Sequence, residues 1–213
     1  MTLGPDAAPE PPGSARVLVV VAHPDDEALW AGGLLASRPL WSVFILALCR
    51  GADPDRAPRF RLALDDLGAQ GAMGDLDDGP DQAPQADERV QAAIRDLAPP
   101  GPFDLLLTHH PEGEYTRHLR HLEVALGVRA LLGEGALAAP RLWNFAYSDQ
   151  GGTCLPEPRP DANLLLPLDA ASWARKYALI TQVYGFAPDS WEARTTPRIE
   201  AFTCFRNEDD PQP

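Results

Sequence analysis

The stretch VLVVVAHPDDEALWAGG, Val17 to Gly33, opens on six apolar residues, breaks on His23-Pro24-Asp25-Asp26-Glu27, and resumes an apolar, helix-forming pattern. A continuous β-branched run of this length reads as a strand buried on both faces of a parallel sheet. A helix from Ala28 to Ser37 follows it. A strand, a short turn and a helix in that order is the opening half of a βαβ unit.

The rest of the chain repeats the alternation. Trp41–Cys49 reads as a second strand, Arg56–Leu67 as a helix ended by Gly68, and Asp87–Leu97 as a helix stopped by Pro99-Pro100. Phe103–His109 is a third strand, and Leu119–Leu132 has helical spacing up to Gly133. Beyond these, Arg141–Tyr147 and Ala162–Asp169 read as strands. Asp169 caps a helix running to about Tyr184, and Ile199–Arg206 closes the chain as a strand. Strands alternating with helices predict an α/β fold, a Rossmann-like three-layer sandwich with a mostly parallel sheet. With no repeat and no linker, residues 16–206 are expected to form a single domain. Residues 1–15, with four prolines, two acids and no basic residue, are expected to be a disordered lead-in, and residues 207–213 a tail.

Composition narrows the partners. The 213 residues include 18 Lys and Arg against 31 Asp and Glu, a formal charge of -13. Nucleic acid and anionic membrane surfaces call for a cationic footprint, so neither is expected. The apolar run VLVVVA is far short of the roughly 20 residues that span a bilayer. Cys49, Cys154 and Cys204 are far apart and include no CxxC pair, which indicates neither a zinc ribbon nor a disulfide framework. Reduced thiols in a cytoplasmic protein fit that usage.

In an open parallel sheet, ligands bind outside the carboxyl ends of the strands, where strand order reverses. The acidic turn leaves the first strand at that edge. Helix capping accounts for one Asp, with Glu27 favoured at the positive helix end. It does not account for two adjacent Asp beside a His. A phosphate-binding turn is disfavoured, because such turns are glycine-rich and this one carries three acids that repel a phosphate unless a metal intervenes, so dinucleotide binding is not expected. A neutral imidazole and a carboxylate are good zinc ligands, and a second carboxylate can take a proton from water.

Of the five histidines, four fall in THHPEGEYTRHLRH, Thr108 to His121, directly after the third strand. His118 and His121 are three apart and share a face at a helix start, so one can bind metal while the other stands over the substrate. Two histidines and one Asp complete a three-ligand zinc site with an open position. His109 and His110 point oppositely on a strand end. His109 is then a second-layer or substrate contact and His110 a surface residue.

AHPDDE after a β-branched strand, followed by TH-x-P-x-GEY and an H-x-x-H pair, resembles the LmbE/PIG-L family of zinc-dependent N-acetylglucosaminyl deacetylases. The likeness covers roughly Val17 to Arg129. It implies that His23, Asp26 and His121 bind Zn²⁺ or another divalent ion, that Asp25 is the general base, and that His118 assists the reacting carbonyl or leaving amine. Arg56 matches an arginine near the family's substrate. Three positions depart from the pattern. Arg117-His118-Leu119-Arg120-His121 stands where the family often has Gly-His-Pro-Asp-His. Thr116 occupies the place of an assisting tyrosine, with Tyr115 one residue earlier as the substrate contact. Arg59 stands where many members have Glu.

The implied reaction is metal-assisted hydrolysis of an acetamide on a small N-acetylated sugar or conjugate. Asp25 takes the water proton, and His118, if protonated, stabilises the oxyanion. Trp30 either stacks on a sugar or packs within its helix. Two alternatives stand beside this reading. A metal-dependent phosphoester hydrolase would draw extra carboxylates from GDLDDGPD, Gly74 to Asp81, a stretch that otherwise reads as a loop. A non-catalytic metal- or ligand-binding module would have no use for Asp25.

Overall fold

The computed structural model describes residues 2–3, 11, 13–81, 83–115 and 118–206. Its sheet has the order β1-β9-β10-β6-β5-β2-β3-β4. The strands are β1 (Thr2–Leu3), β2 (Arg16–Val21), β3 (Ser42–Cys49), β4 (Gln70–Leu76), β5 (Leu105–Thr108), β6 (Arg141–Phe145), β9 (Leu164–Pro167) and β10 (Ile199–Arg206). Strands β2 to β6 run parallel, and β10, β9 and β1 are added antiparallel at one edge. A separate two-stranded ribbon joins β7 (Tyr147–Ser148) to β8 (Glu157–Pro158). The fold is the expected Rossmann-like three-layer sandwich with a mostly parallel sheet.

Alternation along β2 builds the two faces. Val17, Val19 and Val21 pack with Leu29, Trp30 and Leu34 of α1 (Asp26–Ala36) and with Phe60 of α2 (Arg56–Leu67). Leu18 and Val20 pack with Val90 and Ile94 of α3 (Asp87–Leu97) and with Val124 and Val128 of α4 (Leu119–Gly133). Each strand side chain is buried whichever way it points, as a strand flanked by helix layers requires.

Strand order reverses between β2 and β5, both of which leave the sheet on the same edge. His23 follows one and His109 follows the other, so the two clusters meet at the switch point.

Several elements differ from the sequence reading. Residues 70–76 form a strand that the sequence did not announce. The helix after Asp169 is α-helical only over α5 (Ala170–Ala178) and continues as a π-turn over Leu179–Val183. Asp169 does cap it, accepting a hydrogen bond from the Ser172 amide at 2.7 Å. Thr2 and Leu3 of the expected disordered lead-in pair with β9. The tail 207–213 lies outside the described residues. Cys49 and Cys154 carry free thiols, and no helix among the described residues is long and apolar enough to cross a membrane.

Candidate metal centre and catalytic cleft

The acidic turn is strained at Asp25. Asp25 precedes α1 with φ 136°, a conformation that non-glycine residues avoid, and its side chain makes no capping hydrogen bond. Two hydrogen bonds hold it there. The Asp25 amide donates to Glu27 Oε2 at 3.1 Å, and its carbonyl accepts from the Leu29 amide at 2.8 Å. Glu27 is itself fully buried and bonded to the Tyr184 hydroxyl. Freed from capping, the Asp25 carboxylate lies on the cleft wall, 3.4 Å from Arg56 Nη1.

Asp26, the first helical residue, points the other way. Its Oδ2 accepts the His23 amide at 2.9 Å and lies 3.3 Å from His23 Nδ1 and 3.5 Å from His121 Nε2. His23 Nδ1 and His121 Nε2 are 3.4 Å apart. Zinc bonds of about 2.0–2.1 Å at tetrahedral angles would set donor atoms about 3.3–3.4 Å apart. The three separations therefore fit one face of a tetrahedron around a divalent ion. Burial works against a proton on His23, yet Asp26 and Asp78 hold one there up to about 10, so the field at this point favours positive charge.

The far nitrogen of each imidazole is engaged. His121 Nδ1 lies 2.6 Å from Glu114 Oε2, and His23 Nε2 lies 3.1 Å from Asp78 Oδ1. A carboxylate on that nitrogen fixes the tautomer and leaves the opposite lone pair aimed at the triad. Glu114 is fully buried and also accepts the His110 amide at 2.7 Å; burial opposes its charge, but His109 and His121 hold its carboxyl at about 2. Asp78 is held below the usual carboxylate range by His23 and by Arg50, despite its partial burial.

His109 sits behind this centre. It is fully buried, its ring stacks on His121 at 3.8 Å, its Nε2 accepts the Ala22 amide at 3.0 Å, and its Nδ1 lies 3.0 Å from Glu114. Both ring nitrogens are thus engaged within the protein. Of the two places expected for it, the structure puts it in the layer beneath the triad, off the cleft wall. His110, expected at the surface, is buried, with Nδ1 accepting the Glu112 amide.

The cleft above the triad is about 200 Å³. His23, Asp25, Asp26, Arg56, Tyr115 and His118 all line it, together with Asp78, Arg50, Phe186 and Trp191. His118 lies at the N-cap of α4 without capping it, and its Nδ1 is buried with no hydrogen-bond partner among the described residues. Burial, followed by the charges of His121 and His23, lowers its pKa to about 4. The sequence reading had His118 stabilise the oxyanion if protonated; the shift runs toward the neutral imidazole. Asp25 is shifted the opposite way: burial first, then Asp26, raise its pKa well above the usual range, against His23 and Arg56.

Trp30 is fully buried against Tyr147, so it packs and does not reach the cleft. Trp143 is likewise core, whereas Trp191 lines the cleft. Arg59 bonds Asp55 and the Val183 carbonyl, away from the cleft lining. Thr116 and Arg117 lie outside the described residues. Sequence reasoning missed Asp78 and Glu114 as members of the site. Glu114 stood within the GEY motif, and Asp78 was one acid among several in an apparent loop.

By sequence, no family model and no curated protein matches the chain. Its fold is similar to that of solved structures. The N,N'-diacetylchitobiose deacetylase from Pyrococcus horikoshii superposes with a TM-score of 0.66 at 12% identity, over 91% of this chain and 85% of that one. The zinc-inhibited form of the teicoplanin deacetylase Orf2 does so with a TM-score of 0.60 at 14% identity, over 92% and 100%. A 4-carboxy-2-hydroxymuconate hydratase from Pseudomonas putida, GalB, gives a TM-score of 0.57 at 18% identity, over 92% and 97%. Identities this low speak for a common architecture, and the reaction has to be argued from the residues of the cleft.

Proposed function

We propose that this chain, which has the fold of the LmbE/PIG-L deacetylases, is a metal-dependent hydrolase that removes the acetyl group from an N-acetylated amino sugar or a conjugate of one. His23, Asp26 and His121 hold the divalent ion. One observation carries the reading: three donor atoms converge at 3.3 to 3.5 Å while the neighbouring Asp25 carboxylate is left free of capping and faces the cleft.

A bound divalent ion supplies a water of lowered pKa and an electrophile for the acetyl oxygen. Asp25 takes the proton of the attacking water, its raised pKa bringing it closer to the working pH, and passes it to the departing amine. His118, neutral, donates a hydrogen bond to the carbonyl oxygen as charge develops there. Arg56 holds Asp25 ionised from one side and stacks its guanidinium 4.4 Å from the Phe186 ring. With Tyr115 and Trp191 it offers the polar and aromatic wall that a sugar ring needs. Asp78, the acid of Gly74–Asp81 that lines the cleft, is engaged by His23 and Arg50, which favours a single-metal centre over the two metals of a phosphoester hydrolase.

Acetate release tests this reading. Purified protein is offered N-acetylglucosamine and its conjugates as isolated, after chelation, and after reloading with Zn²⁺, Co²⁺ or Mn²⁺. The series covers several metals because a fold neighbour is known in a zinc-inhibited form. Acetate release that is lost on chelation and restored by one of these ions is expected. Asp25→Asn should retain the metal and lose about 10²–10⁴-fold in rate. Release indifferent to chelation, or turnover confined to hydration of an unsaturated acid, would overturn it.

A further inference from the structure

The triad is held from one side by a loop, and a buried arginine ties the two ends of that loop. Arg120 stands where the Gly-His-Pro-Asp-His pattern has aspartate, and it is fully buried. Its Nε donates to the Asp77 carbonyl at 2.6 Å and its Nη2 to the Ala83 carbonyl at 2.6 Å. Its Nη1 pairs with Glu123 Oε2, and Glu123 Oε1 accepts the Gln85 amide at 2.7 Å. One planar guanidinium therefore ties both ends of the segment following β4 to the first turn of α4. Asp78 lies inside that segment, one residue past the first anchored carbonyl. Its two oxygens are divided between His23 Nε2, at 3.1 Å, and Arg50, at 2.7 and 2.9 Å.

The geometry points to Arg120 as a positioning residue for the metal centre: it presents Asp78 to the far nitrogen of His23 and so keeps His23 Nδ1 turned toward Asp26 and His121. Arg120 touches neither substrate nor donor atoms and acts through two carbonyls and one carboxylate. Its neighbour in sequence, His121, is a donor from the same helical turn. The strap thus couples the two halves of the centre, which lie 98 residues apart. A planar fork suits the task, since a point charge would not reach two carbonyls and a carboxylate in one plane.

This inference rests on the metal reading of His23, Asp26 and His121. Zn²⁺ affinity, measured by competition with a colorimetric chelator, tests it without reference to turnover. Arg120→Met and Asp78→Ala are each expected to weaken Zn²⁺ binding about 10–100-fold, the range for losing a group that orients a ligand. Because the two act in series, the double variant should bind no more weakly than the weaker single variant. Where Arg120→Met does not fold, Arg120→Lys carries the same test. Affinity unchanged in either single variant, or losses that multiply in the double variant, would overturn the proposal. Failure of the underlying reading looks different: wild type would then bind Zn²⁺ no better than His121→Ala.

Discussion

At the scale of single residues, the turn His23–Glu27 divides its labour by pointing adjacent side chains in different directions. Asp26 faces the triad, Glu27 faces the core, and Asp25 faces the cleft at the cost of a strained backbone. The motifs AHPDDE and H-x-x-H announced the first and last members of the proposed metal set, because they place donor side chains at a strand end and a helix start. The direction of the His118 shift was not readable, since it depends on burial and in part on the His23 imidazole, 95 positions away in the sequence. Asp25 can act as a base only when ionised. Burial and Asp26 raise its pKa, and Arg56 opposes them. Taking the positive charge away in Arg56→Met therefore raises it further, and the acid limb of the kcat/KM profile moves to higher pH. A pH–rate series on both proteins checks this, and an unmoved limb would show that Arg56 does not set the ionisation of Asp25.

At the scale of elements, the strand that escaped sequence reading is the informative one. β4 reads Gln-Gly-Ala-Met-Gly-Asp-Leu, with two glycines where an apolar run would have marked a strand. Those glycines are what let β4 approach β3. A Cβ on Gly71 would stand 2.6 Å from the Ile45 carbonyl oxygen, and one on Gly74 would stand 2.8 Å from that of Leu48. The clash is with backbone, so rotation of a side chain cannot relieve it. Gly71→Ala is expected to cost about 1–3 kcal/mol of stability by overpacking. Urea unfolding followed by circular dichroism reads this directly. A variant as stable as wild type would mean that the β3–β4 spacing can adjust. The same close approach explains why Asp78 was read as one loop acid among many: its place at a strand end is visible only once β4 is recognised.

For the whole molecule, β2, β3 and β5 of the parallel half were legible from their apolar runs, whereas the antiparallel edge owes its place to long-range contacts. The buried Lys176–Glu200 pair is one of them, with Glu200 also accepting the Gly33 and Leu34 amides of α1. Nothing local in either residue announces that partnership. The triad is long-range in the same sense, since its donors come from positions 23, 26 and 121 and meet only in the folded state. A divalent ion that binds the folded chain and not the unfolded one stabilises it by RT ln(1 + [M]/Kd), about 2.7 kcal/mol at a hundredfold excess over Kd. For a domain of this size each kcal/mol moves Tm by about 2–4 °C. Metal loading should therefore raise Tm by about 5–10 °C, and chelation should reverse the gain. His121→Ala, which removes one donor, should lose most of the shift. Arg56→Met, which touches none, should keep it. Scanning calorimetry of the three proteins with and without metal separates the outcomes. A wild-type Tm indifferent to both metal and chelator would mean that the convergence of these three side chains serves packing and not coordination.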